Sequence, residues 1–435
     1  MDSRLEKSCK LFLDFIIAVA VAIIIPLFFS PSSETLVLVT KEQTAIYSLF
    51  FGLSFLLFGE VLGLREQNFQ IGLAKSFFLP LTSSFLASLT LLLLVWAIEY
   101  SFIGRFTFGK IFLATAFGSF VSNIFIKRFF SNHPTSCLLF LSSIRSKQII
   151  EATKHCPHFF KWVDIDITGK KESIQSICNN ENVDLLVIDE ENTEFDLDIV
   201  QMLSQGTQVL GLLDFWQKYI GCIPPSEVHQ SWLTKLDLRM RNPLALKLKR
   251  TADVVLSLLA LTITAPLLLI VYFLVVVESG FPLIFSQTRT GFLNQNFTIY
   301  KIRTMRNDAE KKGAIWASEN DSRVTNIGKI LRKLRIDEIP QFWNVIKGDM
   351  SIVGPRPERP EFQEELNQSV PYWNARHLVK PGITGWAQIK FKYASSMQTS
   401  EQKLAYDLYY LRNLSFALDF EIILGTLRSI GKGSR

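Results

Sequence analysis

Apolar positions gather in long runs in the first third of the chain and again past its middle. Residues 11–29 ("LFLDFIIAVAVAIIIPLFF") form the first run, and others lie near 45–64, 74–97 and 108–126. At about 1.5 Å per residue each is long enough to cross a hydrocarbon core of roughly 30 Å. The pattern predicts a four-helix transmembrane region over residues 1–130. Asp14 and Glu60 interrupt two of the runs and blur their ends. No small-residue cleavage site is evident and further spans follow, so a cleaved signal peptide is not expected. Arg4, Lys7 and Lys10 precede the first run, and Lys127 and Arg128 follow the fourth. The positive-inside rule puts both ends of the region in the cytoplasm.

Periodicity changes after residue 130. Within 135–225, "CLLFLSS", "VDLLVIDE" and "QVLGLLDF" are short buried-strand patterns with helical stretches between them. They predict an α/β unit like a degenerate Rossmann domain. Its first loop, "SSIRSK", has no GxGxxG, so close approach of a dinucleotide pyrophosphate is not supported. Residues 226–250 read as a linker ending in bases: Arg239, Arg241, Lys247, Lys249 and Arg250. An apolar run from Val254 to Val277 follows, with Pro266 in its middle near Thr262 and Thr264. Proline removes a helix hydrogen bond and kinks the axis. The run can therefore enter one leaflet, turn and return.

Residues 279–435 are polar with scattered aromatics. Ile327, Ile330, Leu331 and Leu334 follow helical spacing, while Lys329, Arg332, Lys333 and Arg335 form a basic face. That helix suits either a membrane surface or an ordinary core with a solvated side. Over 435 residues the chain is 48% hydrophobic with a net charge of +6, which fits an anionic membrane surface, phosphate-bearing ligands or nucleic acid. The 36 phenylalanines favour lipid over nucleic acid. Five cysteines without a CxxC pair point to free thiols in a reducing compartment. "HCPH" at 155–158 lacks the second ligand pair of a structural zinc site.

The densest chemistry lies in "RIDEIPQFWNVIKGDMSIVGPRPERP", residues 335–360. Asp337 and Glu338 are adjacent, and like charges repel unless something binds them. With Pro340 near its start and Gly348 at its end, "IPQFWNVIK" predicts a short helix carrying both acids at its N-terminus. The dipole and free N–H groups there favour ionised carboxylates and phosphate. Two hard oxygens beside substrate phosphates suit Mg²⁺, and an ionised aspartate can also attack phosphorus. Arg356, between Pro355 and Pro357, offers a rigidly carried fork for phosphate. On these residues alone, a pair of acids that merely caps a helix remains open.

The stretch "DSRVTNIGKILRKLRIDEIPQFWNVIKGDMSIVGPRPERPEF" strongly resembles the bacterial sugar transferase family, the monotopic polyisoprenyl-phosphate hexose-1-phosphate transferases. The likeness continues upstream through "SGFPLIFSQTRTGFLNQNFTIYKIRTM" and downstream through "RHLVKPGITGWAQIK" and "KLAYDLYYLRNLSFALDFEIILGTL", over about residues 245–430. The front half looks like the large members, which add four membrane helices and a Rossmann-like domain.

The resemblance implies transfer of a sugar 1-phosphate from a UDP-sugar to undecaprenyl phosphate, with release of UMP. It is the first membrane step of exopolysaccharide, capsule or O-antigen assembly. Carried over by motif, Asp337 is the nucleophile that forms a covalent phospho-sugar, and Glu338, with Asp337, holds Mg²⁺. Arg332 and Arg356 look like phosphate contacts, and Lys301 and Arg303 of "KIRTM" lie in a basic family motif near the diphosphate. Pro266 matches the proline that breaks the family's re-entrant helix, about residues 251–277, and Asp253 matches a position near its start. The implied fold is membrane α/β. It comprises four transmembrane helices, a Rossmann-like domain over 135–225, a linker over 226–250, and a mainly helical monotopic catalytic domain over 250–435. The implied setting is the bacterial inner membrane, multi-pass, with the catalytic domain on the cytoplasmic face, membrane lipid as a partner and no nucleic acid. A homo-oligomer is left open. A non-catalytic scaffold for polysaccharide assembly is the alternative, and the intact acid pair with Arg332 and Arg356 stands against it. The segment "GAIWASEND" looks like an exopolysaccharide subgroup in which glucose or galactose is the sugar. "ITGWAQ" and "PYWNAR" place Trp386, Tyr372 and Trp373 at either a headgroup interface or a core, and His377 is a candidate acid–base residue.

Overall fold

The computed structural model describes residues 3–29, 41–61, 73–99, 105–130, 135–141, 143–154, 160–163, 178, 183–189, 199–228, 232, 243–306, 309, 321–390 and 397–429. The "HCPH" stretch, Arg239, Arg241 and residues 313–320 of "GAIWASEND" lie outside them. The chain divides into two compact units, Met1–Ile220 and Gly221–Arg435.

The first unit opens with helices α1 (Ser3–Phe29), α2 (Lys41–Val61), α3 (Leu73–Glu99) and α4 (Arg105–Phe130). Each contains a stretch long and apolar enough to cross a membrane. Their polarity is arranged inside out. Leu53, Leu57, Phe117 and Phe125 face outward, while Ser84, Ser88, Thr115 and Ser119 are buried. Lipid tails are as apolar as leucine, so such helices gain from small residues and interhelical hydrogen bonds instead. Asp14 accepts a 2.8 Å bond from Ser119, tying α1 to α4. Gly118 lets α4 approach α1 so closely that an added Cβ would sit 2.7 Å from Ile17.

Four parallel strands follow: β1 (Thr135–Phe140), β2 (Phe160–Val163), β3 (Leu185–Ile188) and β4 (Gln208–Gly211), in the order β2-β1-β3-β4. Helices α5 (Ser143–Thr153), α6 (Ile199–Ser204) and α7 (Leu212–Phe215, continued by a π-turn to Ile220) accompany them. The three expected strands are present, although "QVLGLLDF" turns helical at Leu212. β2 was not foreseen. Its Phe160 and Trp162 instead stack on each other beside Phe215.

In the second unit the described residues of the expected linker are packed at its start and helical from Pro243. Val228 and Trp232 are buried, and Ile223 donates to the Ala405 carbonyl. Helix α8 (Pro243–Ser279) then runs for 37 residues as one element that includes Pro266. The hairpin β5 (Ile284–Thr290) and β6 (Asn296–Ile302) precedes α9 (Asn326–Lys333), a 3₁₀ turn (Ile336–Glu338) and α10 (Gln341–Lys347). Strand β7 (Ser351–Val353) pairs in parallel with β8 (Gly382–Thr384), with α11 (Pro360–Ser369) and a 3₁₀ stretch (Trp373–Leu378) between them. Helices α12 (Trp386–Lys390), α13 (Met397–Arg412) and α14 (Phe416–Ser429) close the unit over a core of Val345, Met350, Val353, Trp386, Tyr410 and Ile422.

Both ends of α8 rest on this unit. Near its start Lys249 pairs with Asp419 at 2.6 Å, Arg250 donates to the α10 carbonyl of Ile346 at 2.8 Å, and Asp253 accepts from Ser351 at 2.7 Å. Near its end Val271 and Val275 pack on Ile302 and Leu331, and Glu278 caps α9 through the Asn326 N–H. Between these seats Leu258, Leu259, Ile263, Leu269 and Ile270 are exposed.

Candidate active site

The acid pair is built by a break between two helices. α9 begins at a Thr325 cap and packs Leu331 on α8. Arg335 then adopts φ 56°, a left-handed conformation that ends the helical run. The chain makes one 3₁₀ turn before Pro340 starts α10. The acids thus sit in a separate turn, contrary to the expectation of a helix N-terminus. The reason is local. The N–H groups of Glu338, Ile339 and Phe342 are consumed by the carbonyls of Arg335, Ile336 and Ile339, so they are not free to face an anion.

Side-chain cations face the pair instead, and among the described residues they form close ion pairs with Glu338 alone. Glu338 meets Arg356 at 2.7 Å, Arg335 at 3.5 Å and Lys301 at 3.6 Å. Burial pushes its carboxyl up, but Arg356, Lys301 and Arg335 outweigh it and hold it at about 2. Asp337 is buried beside it, and among the described residues no hydrogen bond or close ion pair engages its carboxylate. Burial and the Glu338 charge push it above the ordinary carboxylate value, against the pull of Lys301, Arg332 and Arg356. The surroundings thus favour the ionised form of Glu338 and work against that of Asp337. Burial lowers Lys301 to about 8, with Arg356 adding to the effect, while Glu338 raises Arg356.

The other expected residues divide. Arg332 is oriented by a 2.8 Å bond from Nε to Thr304 Oγ1 and acts on Asp337 electrostatically. Arg303 turns away and caps the end of α8, donating to Ser279 O at 2.9 Å and to Gly280 O. The proline of that helix, Pro266, lies in the exposed middle of α8. Trp373 and Trp386 are core residues, 1% and 2% exposed. His377 is buried too. Trp373 Nε1 donates to Gln363 Oε1, which turns the Gln363 amide toward His377 Nε2 at 2.7 Å and keeps that nitrogen an acceptor. Burial, with Arg376 adding, lowers His377 to about 4, so it stays neutral as a structural group. Sequence reasoning missed Arg335 as a partner of Glu338, although the three-residue spacing was a signal. It gave no role to Arg289, which it saw only as part of "FSQTRTG", nor to Arg376; both approach Glu358 from distant segments.

Among the described residues no group of three or more His, Cys, Asp or Glu could enclose a metal. Asp337 offers open oxygens, whereas those of Glu338 face three cations. This fits a Mg²⁺ shared with substrate phosphates, which needs only one or two carboxylates.

The family model described as "Bacterial sugar transferase" matches residues 244–433. The chain is 41% identical over 217 residues to the UDP-N-acetylgalactosamine-undecaprenyl-phosphate N-acetylgalactosaminephosphotransferase of Aeromonas hydrophila, covering 49% of this chain and 51% of that one. It is 40% identical over 182 residues to the UDP-glucose:undecaprenyl-phosphate glucose-1-phosphate transferase of Escherichia coli, covering 41% and 39%. These matches span about half or less of either relative. An exopolysaccharide production protein of Rhizobium leguminosarum is 40% identical over 193 residues, 42% of this chain but 95% of that one. Both sites of likeness, the break that carries the acid pair and the cations around it, fall inside the matched region, and the chain belongs to the bacterial sugar transferase family.

Proposed function

We propose that the second unit transfers a sugar 1-phosphate from a UDP-sugar to undecaprenyl phosphate, through a covalent intermediate on Asp337. The observation that carries this reading is the asymmetry of the acid pair. Glu338 is neutralised by three cations, and Asp337 keeps an uncommitted, raised carboxyl beside them. A raised carboxyl is a stronger base, and hence a better nucleophile, once ionised. One Asp337 oxygen attacks the β-phosphorus, the bond to the UMP oxygen breaks, and UMP leaves. An oxygen of undecaprenyl phosphate then attacks the same phosphorus and releases the Asp337 carboxylate, giving undecaprenyl-diphospho-sugar. Lys301, Arg332 and Arg356 face the charge that develops on the phosphoryl oxygens. Mg²⁺, held by Asp337 and the diphosphate and by Glu338 if its cations yield, would offset diphosphate charge.

The same reading takes α8 as re-entrant. Pro266 and the back-bonded hydroxyls of Thr262 and Thr264 favour a bend, and both ends of the helix are held by one unit. Exposed Ile330, Leu334 and Trp343 beside the acid pair suit the headgroup region. The unit would then face the cytoplasm at the inner membrane, where UDP-sugars are, and the parallel sheet of the first unit would be the degenerate Rossmann-like module of large family members. An exopolysaccharide, capsule or O-antigen pathway would take the product. The test is nucleotide release by the protein in nanodiscs with undecaprenyl phosphate, Mg²⁺ and a panel of UDP-sugars. UMP from one donor, lost in Asp337→Asn, is expected. UDP as the product overturns the reading.

A further inference from the structure

The segment that carries Arg356 is pinned through every main-chain carbonyl from residue 355 to residue 358. Pro355 O accepts from the Gly382 N–H at 2.9 Å. Arg356 O accepts from Arg376 Nη2 at 2.8 Å, and Pro357 O from Arg289 Nη1 at 3.2 Å. Glu358 O accepts from the Thr290 N–H at 2.9 Å. Pro355 and Pro357 have no N–H, so the segment cannot be held from its donor side by an ordinary ladder. Two of the four donors are guanidinium groups reaching from different elements, β5 and the 3₁₀ stretch before β8.

Those guanidinium groups are costly to place there. The Arg376 side chain is 1% exposed and lies over the Trp373 ring, 4.4 Å from its centroid. Burying a charge is unfavourable unless it is paired and bonded. The pairing is supplied by buried acids. Asp407 lies 2.8 Å from Arg376. Glu358, which also binds Lys403, lies 3.9 Å from both Arg376 and Arg289. Burial pushes the Glu358 carboxyl up, but Lys403, Arg376 and Arg289 outweigh it and hold it at about 2. Arg376 Nε and Nη1 make no hydrogen bond, so its one well-formed bond goes to the carbonyl of Arg356. That arrangement fixes the backbone from which the Arg356 side chain reaches Glu338.

We propose that Arg376 and Arg289 are positioning residues for Arg356, which they set against Glu338 by gripping the carbonyls of Arg356 and Pro357. The turnover arm of the test rests on the function proposed above, and the exchange arm does not. Full-length protein in nanodiscs is compared as wild type, Arg376→Lys, Arg356→Lys and the double variant. Lysine keeps the charge, but its shorter side chain withdraws the single donor, Nη2, that meets both Asp407 and the Arg356 carbonyl. Amide exchange over residues 336–345 is expected to speed up at least about fivefold in each single variant, with no further gain in the double. UMP release is expected to fall about 10- to 100-fold in Arg376→Lys and less than about twofold when the same change is made in the Arg356→Lys background. Exchange over 336–345 like that of wild type in Arg376→Lys, or losses that multiply in the double variant, overturns the proposal. A wild type that releases no UMP refutes the functional reading while the exchange arm still decides the positioning. If Arg376→Lys loses its cooperative melt, Arg289→Lys takes its place in the same cycle, with the same outcomes expected and the same ones overturning.

Discussion

Replacing Glu338 with glutamine removes one charge and keeps the side chain's shape, and Lys301 should register the loss. Lys301 stands at about 8, chiefly because it is buried and secondly because Arg356 repels it; Glu338 opposes both. At the 3.6 Å that separates Lys301 from Glu338, unit charges in a medium of effective dielectric ~20 attract by about 4 to 5 kcal/mol. Even a third of that, about 1.4 kcal/mol, displaces a titration tenfold. In Glu338→Gln the midpoint of Lys301 is therefore expected to fall from about 8 to about 7 or lower. The assay is the pH dependence of Lys301 modification by a small acylating reagent, read by mass spectrometry on the full-length protein. It reports the amine whether or not the variant turns over. Where turnover remains, the alkaline fall in UMP release should move with it. A Lys301 midpoint that stays at about 8 or rises would refute the electrostatic account of the site.

Two further outcomes follow from other parts of the unit. If α8 is re-entrant, cysteines introduced at exposed Lys247 and Gln295, in a background lacking the exposed Cys9, will both be labelled only from the cytoplasmic side of spheroplasts. Labelling of Gln295→Cys from outside sinks the re-entrant reading. His377 is lowered from 6.5 to about 4, so the unfolded chain binds its proton more readily. The stability that this neutral histidine contributes is complete above about pH 6.5 and is lost as pH falls toward about 4, by about 3 kcal/mol at ~1.4 kcal/mol per pH unit. His377→Gln should flatten stability between about pH 6.5 and 4.5, above the range where Glu358 titrates; an unchanged slope in urea melts contradicts this.

Much of the architecture was readable because it rests on local pattern. The four long helices of the first unit follow from long apolar runs, and β1, β3 and β4 from short aliphatic ones. β2 escaped because Phe160 and Trp162 pack as an aromatic stack, which leaves no aliphatic run to see. The acid pair was visible, but its environment was not. Glu338 is neutralised from positions 301, 335 and 356, and only Arg335 lies at a spacing that the sequence itself brings together. Trp373 and Trp386 looked equally suited to an interface or a core, because an aromatic beside polar neighbours carries no sign of which. Arg303 shares a motif with Lys301, yet the end of β6 lets one reach Glu338 and the other the end of α8.

The double seating of α8 has a consequence for inheritance. Lys249, Arg250, Asp253, Val271, Val275 and Glu278 find all their named partners between Leu283 and Asp419, within the second unit. The long helix and the acid pair it supports are therefore one portable module. Selection can add, exchange or lose the four-helix bundle and the parallel sheet without reinventing how the acid pair is supported.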